Sequence, residues 1–347
     1  MQDAHACTDF VLTATDKSII NGRSMEFALP FESQLIVHKR GLKHQSQTPN
    51  EKKGISWTAK YGFVAVNGLN LDFVIDGINE KGLGFGALWL PSTVYQQVAD
   101  EEASRAIMIE DFGTWVLSNF STVDELKKAL PQVKVCGHII PALGSIPTLH
   151  FAIHDSQGNN LVVEYIDGAL FMMDNPNSVL TNAPIFGWHL MNLRNYINLK
   201  AMNAGAVNFN GAIMDQTGQG SGLLGIPGDW TPPSRFVRTT IFKNFAETPY
   251  NAASAVNLAV HLLNCVDIPY GVVKEAATHK NSIDYTQWIV IKDLTNKQLY
   301  YRTYQNMTLR CVDMHKIDFQ DPATVTPFTL DAGVPIVDIT DQLMNKK

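Results

Sequence analysis

The sequence predicts an α+β fold in which antiparallel sheets carry helices on their outer faces, and three observations lead there. Short β-branched and aromatic runs come in groups, tight polar turns join the runs within a group, and amphipathic helical stretches fall between groups. A doubly wound parallel sheet needs a long crossover after each strand, and these turns are too short for that. The 347 residues are enough for two average domains or one large layered one. No proline- or glycine-rich linker and no internal repeat divides them, so one domain over 7–347 is expected, after a leader remnant at 1–6.

The elements follow in order. Runs 7–13 and 18–27, separated by Thr15-Asp16-Lys17, read as a hairpin. Two apolar strands at 73–77 and 82–89 flank Asn79-Glu80-Lys81, and Gly82, Gly84 and Gly86 in the second mark a close backbone approach. Helical periodicity covers 107–119 and 123–130, where Thr122 and Glu125 have capping-box spacing. A β block follows at 149–154, 161–166 and 170–173, turning at Ser156-Gln157-Gly158-Asn159 and at Asp167-Gly168. Helices are expected at 188–199, 234–245 and 252–263, and a last hairpin pairs 288–291 with 299–302.

Charge and hydropathy exclude two classes of partner. The net charge of −6 comes from mixed signs without a lysine or arginine cluster to track phosphates, so nucleic acid is not expected. No run of eighteen apolar residues exists, so no membrane span is expected. The start Met1-Gln2-Asp3 lacks the basic and apolar regions of a signal peptide, and the expectation is that Met1 stands in place of a removed export signal.

Cys7 directly follows Ala4-His5-Ala6, a small-x-small triplet of the kind signal peptidase reads. A cut after Ala6 would leave one residue holding both a thiol and a free α-amine. An α-amine has a pKa of about 7.7–8.0, so it is partly neutral near pH 7 and serves as a base. The plainer reading is a buried or disulfide cysteine near a ragged end. Cys136, Cys265 and Cys311 form no Cys-x-x-Cys pair, and with Cys7 set aside an odd number remains, so at least one buried free thiol is expected. Arg23 and Glu26 flank Met25 on the second strand of the hairpin, which returns them beside Cys7. They are either a surface ion pair or the two charges such a residue needs: an arginine to favour the thiolate and a carboxylate to orient the amine.

Gly220-Ser221-Gly222-Leu223-Leu224-Gly225 fits the dinucleotide fingerprint, which needs a helix starting within it, but Ile226-Pro227-Gly228-Asp229-Trp230-Thr231-Pro232-Pro233 follows at once and is not expected to be helical. It reads as a glycine-rich loop. The ten histidines include no His-Glu-x-x-His and no tight cluster, so neither metal nor cofactor is expected. His189 reads as a partly buried helix residue rather than a base.

Five blocks in order carry a resemblance. They are Cys7-Thr8, Gly22-Arg23-Ser24-Met25-Glu26, Asp76-Gly77-Ile78-Asn79-Glu80-Lys81-Gly82-Leu83, Leu180-Thr181-Asn182-Ala183-Pro184, and Gly218 to Leu223 continuing through Pro227-Gly228-Asp229 to Ser234-Arg235-Phe236. The chain resembles the choloylglycine hydrolase family of bile salt hydrolases and penicillin V acylases, which are N-terminal nucleophile hydrolases. The resemblance implies a four-layer αββα sandwich of two antiparallel sheets, hydrolysis of a linear amide with an apolar acyl group, a periplasmic or secreted location, and a homotetramer. It implies Cys7 as nucleophile with its α-amine as base, Arg23 supporting the thiolate, Asn182 in the oxyanion hole, and Arg235 as a second site arginine.

Two positions depart from the family pattern. Glu26 stands where aspartate is usual, so one more methylene must be absorbed. Trp89 replaces an asparagine or tyrosine; a backbone N–H there still serves an oxyanion, while the indole presents a flat apolar wall to the acyl group. Bile salts rank slightly ahead of penicillin V because the long stretch between Asn182 and Arg235 is like that of the bile salt enzymes, and N-acyl homoserine lactones come third. Two rivals remain at this point: a silent protein that binds a hydrophobic ligand, and a hydrolase using an internal cysteine and histidine.

Overall fold

The opening hairpin forms where the β-branched runs place it. A computed structural model describes residues 6–274, 283–320, 327–331, 333 and 336–344, and in it Cys7–Thr13 pairs antiparallel with Ile19–Phe27. Cys7 lies opposite Met25 and Asp9 opposite Arg23. The turn closes through Asp16 Oδ1, which accepts the Ser18 N–H at 2.9 Å.

This hairpin sits inside one sheet ordered Val179–Leu180, Cys7–Thr13, Ile19–Phe27, Ile283–Asp293, Gln298–Thr303 and Arg310–Asp313. A second sheet runs Ala169–Asp174, Asn160–Ile166, Leu149–His154, Gly84–Trp89, Val74–Asn79, Phe63–Asn67, Gln34–His38 and Phe328–Thr329. Every neighbouring pair in both is antiparallel. Helices α1 (Ile109–Asn119) and α2 (Val123–Ala129) fall in sequence between Gly84–Trp89 and Leu149–His154 of the second sheet, and α1 packs against it. After α3 (Phe186–Leu193), helices α4 (Pro232–Phe245) and α5 (Ala252–Asn264) cover the first sheet. The inner faces of the sheets meet, which makes the expected αββα sandwich of the N-terminal nucleophile hydrolase fold. Gly113 lets α1 lie close, because a Cβ there would fall 2.9 Å from Val74 and Phe85 side-chain atoms.

Local chemistry explains most boundaries. Thr122 Oγ1 caps α2 by accepting the Glu125 N–H, while the Glu125 carboxylate turns back to Ser121 rather than to Thr122. Asn251 and Ser254 complete a reciprocal capping box at α5. Helix α4 starts two residues earlier than the periodicity suggests, since Pro232 and Pro233 fit the first helical turn, whose N–H groups have no intrahelical acceptor. The helix expected over 188–199 is shorter: α3 stops at Leu193 and a tight turn Arg194–Tyr196 follows, with Ile197 86% exposed and nothing packed there to extend it. Residues 107 and 108 belong to the short strand Ala106–Met108 instead of α1.

Several strands have no counterpart in the sequence reading, among them Arg310–Asp313 and Phe328–Thr329 at sheet edges and the separate pair Lys43–Gln47 and Lys53–Thr58. Of the others, Gln34–His38 and Phe63–Asn67 are inner members of the second sheet, and Val179–Leu180 is a two-residue edge. The glycine-rich run 220–225 is a loop with a single turn at Ser221–Leu223, and Gly220 and Gly225 take positive φ. No helix among the described residues is long and apolar enough to cross a membrane. The leader called at 1–6 lies outside the described residues except for Ala6.

Candidate active site

Cys7 opens the first strand, and its thiol faces the gap between the sheets with only 2% of the residue exposed. Sγ lies 3.6 Å from Arg23 Nη2 and 3.7 Å from Met25 Sδ. Both neighbours follow from pairing, since positions 23 and 25 share a strand face and Met25 is the register partner of Cys7. Burial pushes the thiol up, and Arg23 pulls against it more strongly than Arg235 does. The expected arginine is therefore in place, yet burial outweighs it while the site is closed.

Arg23 and Glu26 do not form the surface ion pair that was one reading of them. Both are fully buried, and an odd spacing in a strand sends their side chains to opposite sheet faces. Arg23 points between the sheets. The Glu26 carboxylate instead accepts the Thr286 hydroxyl at 2.9 Å, and its main-chain N–H donates to Ala6 O at 2.9 Å. Burial lifts Glu26 to about 7 despite the opposing charge of Arg235.

The strand Val179–Leu180 pairs with the first strand, Leu180 opposite Asp9, and so delivers the next turn to Cys7. There the Cys7 N–H donates to Asn182 Oδ1 at 2.6 Å. The same oxygen accepts Arg235 Nη2 at 2.7 Å, and Asn182 Nδ2 donates to Trp89 O at 2.8 Å. Arg235, from the first turns of α4, also donates to Cys7 O, to Thr8 Oγ1 at 2.7 Å and to Trp230 O at 2.9 Å. It is wholly buried, not a helix-surface residue. All six residues singled out in the sequence, Cys7, Arg23, Glu26, Trp89, Asn182 and Arg235, thus meet around one strand end.

His189 is fully buried rather than partly so, and its Nε2 donates to Asn182 O at 2.9 Å. Burial pushes it down to about 4, so it is neutral near pH 7 and acts as a donor to the loop. His150 binds the neighbouring carbonyl, Thr181 O, at 2.9 Å, and its other nitrogen lies 3.0 Å from Glu164, which also accepts the Phe186 N–H. Two histidines therefore hold consecutive carbonyls of the turn that carries Asn182.

Behind Arg23 lies a charged cluster that sequence reasoning missed. Asp76 Oδ2 is 3.6 Å from Arg23 Nη1, and both Asp76 oxygens accept Lys292 Nζ at 2.8 Å. Asp9 meets His154 at 2.7 Å and Asn21 at 3.0 Å. Gly86 makes room: a Cβ there would come within 3.4 Å of Asp76 Oδ2 and 3.5 Å of Asp9 Oδ2, which is the close approach its strand was expected to show. The only sequence signal was a charged residue at an otherwise apolar strand position, such as Lys292 after Trp288-Ile289-Val290-Ile291.

On the other side of Cys7 the gap is apolar. Met25, Phe27, Phe31, Phe73, Ala87 and Trp89, together with Leu143 and Leu149, line a narrow cleft of about 20 Å³ beside the thiol. Phe27 packs between the Phe31 ring at 4.8 Å and the edge of Trp89 at 6.1 Å. The site therefore holds a thiol with a guanidinium on one flank and a tightly packed apolar cleft on the other. The four cysteines are all free, with Cys7 and Cys136 buried and Cys265 and Cys311 exposed.

A buried thiol at a strand end inside an αββα sandwich defines an N-terminal nucleophile hydrolase architecture, and the family model for linear amide C–N hydrolases, choloylglycine hydrolase family, matches residues 7–327. The chain belongs to that family. It is 34% identical over 316 residues to a bile salt hydrolase/transferase of Clostridium perfringens, covering 89% of this chain and 93% of that one. To the penicillin V acylase of Pectobacterium atrosepticum it is 28% identical, over 94% of this chain and 86% of the other. Among solved structures, a variant of the conjugated bile acid hydrolase of Clostridium perfringens superposes with a TM-score of 0.81 at 31% identity, covering 93% of this chain and 96% of that chain. The penicillin V acylase of Agrobacterium tumefaciens gives 0.73 at 26%, covering 90% and 88%.

Proposed function

We propose that this chain hydrolyses the amide of an apolar carboxylic acid with Cys7 as nucleophile, and that conjugated bile salts are its first substrate class. The observation that carries this reading is the position of Cys7 Sγ, 3.6 Å from Arg23 and at the closed end of the apolar cleft. The acyl group enters between the apolar side chains of the cleft, which part to admit it, and brings its carbonyl to the thiol. With Ala6 attached, Cys7 N is a peptide nitrogen without useful basicity, so removal of residues 1–6 precedes activity. The freed α-amine then takes the thiol proton, and the thiolate attacks the carbonyl carbon.

Charge develops on the carbonyl oxygen. One Asn182 N–H is already given to Trp89 O, and the second is the donor that the oxyanion uses. The α-ammonium returns its proton to the amine as the C–N bond breaks, leaving a thioester on Cys7. Water, deprotonated by the same amine, cleaves the thioester and releases the acid. Glu26, whose main-chain N–H binds the carbonyl just ahead of Cys7 and whose charge acts on the thiol, supplies the carboxylate that holds the new ammonium.

Penicillin V is the second reading, favoured by the lining of the cleft, where Trp89, Phe27, Phe31 and Phe73 suit an aromatic acyl group. The test is amine release from glycocholate, penicillin V and a long-chain acyl homoserine lactone by a chain whose intact mass shows Cys7 first. Alkylating Cys7 must abolish turnover; undiminished hydrolysis afterwards overturns the proposal. Ligand binding without turnover by the processed chain identifies a binding protein instead.

A further inference from the structure

Lys292 is the one lysine buried between the two sheets among the described residues, and it touches neither the thiol nor the cleft. Its three donors go to Asp76 Oδ1, Asp76 Oδ2 and Phe85 O, at 2.8, 2.8 and 3.1 Å. Asp76 therefore spends its close contacts on Lys292 and keeps Arg23 at 3.6 Å. Arg23 in turn gives its Nη groups to the main-chain carbonyls of Ile75 and Ala87, while Nε finds no acceptor among the described residues. A guanidinium ordinarily takes a carboxylate through two parallel hydrogen bonds, and the carboxylate 3.6 Å away offers such a partner.

We propose that Lys292 is a positioning residue: by occupying both oxygens of Asp76 it keeps that carboxylate from pairing with Arg23, and so leaves the guanidinium charge facing Cys7 Sγ. The consequence for catalysis rests on the proposed role of Cys7, but the electrostatic consequence for the thiol does not. Without Lys292, the Asp76 carboxylate is opposed by Arg23 alone, loses both of its close hydrogen bonds and becomes the natural bidentate partner of the guanidinium. Arg23 would then draw back from the sulfur and be neutralised. The other charged groups around the thiol do not change in this comparison: Glu26 on the same strand as Arg23, Arg235 on α4, and Asp9 with its His154 partner across the gap.

Cost supports the argument. An ion pair buried between apolar layers is often no more stabilising than hydrophobic residues of the same volume, so stability alone does not explain a lysine here. A carboxylate that merely supported the fold would also have no need of a lysine when an arginine already stands beside it.

The experiment measures the rate of Cys7 alkylation by iodoacetamide against pH, with the modified peptide read by mass spectrometry so that exposed Cys265 and Cys311 are not counted. Lys292→Met is expected to move the Cys7 ionisation up by about one pH unit, and so to slow alkylation near neutral pH about tenfold. Asp76→Asn/Lys292→Met removes both charges together and is expected to restore the rate to within about threefold of the unsubstituted chain. Circular dichroism melting establishes that each variant is folded, and Lys292→Gln, which keeps a donor to Asp76 but no charge, replaces Lys292→Met if the latter does not fold. An unshifted profile in the single variant, or a double variant no faster than the single, overturns the proposal and leaves Lys292 a purely structural residue. Because alkylation needs no substrate, these outcomes stand apart from any failure of the proposed hydrolysis.

Discussion

One face of one strand changes character within eight residues. Asn21, Arg23, Met25 and Phe27 all point between the sheets, yet the first two enter a cluster with Asp9, Asp76 and Lys292 while the last two line an apolar cleft with Phe31, Phe73 and Trp89. The change falls between Arg23 and Met25, directly opposite Cys7. A thiol at such a border faces a fixed positive charge on one side and a dry wall on the other. In the proposed function the charged half tunes the thiol, and the apolar half selects what is brought to it.

Breaking the charged half at its donor gives the largest effect. Asn182→Ala removes an oxyanion donor of a kind worth roughly 3–4 kcal/mol, so kcat should fall by two or three orders of magnitude. Steady-state rates at saturating substrate check this, and a near-normal kcat would remove Asn182 from the chemistry.

Glu26 sharpens the comparison by pH. Its folded value, about 7, lies above the ordinary 4.5, so the native state holds the proton more tightly than the unfolded chain. Stability is then full below about pH 4.5 and declines as pH rises toward about 7, by on the order of 3 kcal/mol. Glu26→Gln should abolish this decline, and a chain starting at Cys7 should show less of it because the new ammonium partners the carboxylate. Urea unfolding on both sides of that window measures it; parallel curves for the two chains would refute the assignment.

The apolar half yields the smallest effect and the one that discriminates substrates. Trp89→Ala keeps the carbonyl that binds Asn182 but removes the indole wall, so KM for an aromatic acyl substrate should rise about tenfold, with a smaller loss in kcat. A fall in kcat as deep as that of Asn182→Ala would mean that the indole serves the chemistry rather than the acyl group.

Much of this was readable along the chain. The hairpin of Cys7–Thr13 and Ile19–Phe27 is a matter of local composition and turn residues, and its pairing places Arg23 and Met25 beside Cys7 without further information. Helices α4 and α5 follow from periodicity, whereas the start of α4 at Pro232 and the capping box at Asn251 are seen only in the structure. The inner strands Gln34–His38 and Phe63–Asn67 carry short continuous apolar runs, Leu35-Ile36-Val37 and Phe63-Val64-Ala65-Val66, which periodicity alone does not tell from other buried segments. His189 looked like an ordinary helix residue, since nothing in its surroundings along the chain says that Asn182 O will lie at its tip.

The sequence by itself determined the family and the hairpin that places Arg23 and Met25 beside Cys7, because motif spacing and strand alternation are local properties. Only the tertiary structure decided that Asn182 and Arg235, 175 and 228 positions away, converge on the main chain of Cys7. It alone decided that Lys292 claims Asp76 from Arg23. Those choices depend on which sheet face meets which, and a buried charge takes its partner from across the gap, where chain order carries no information.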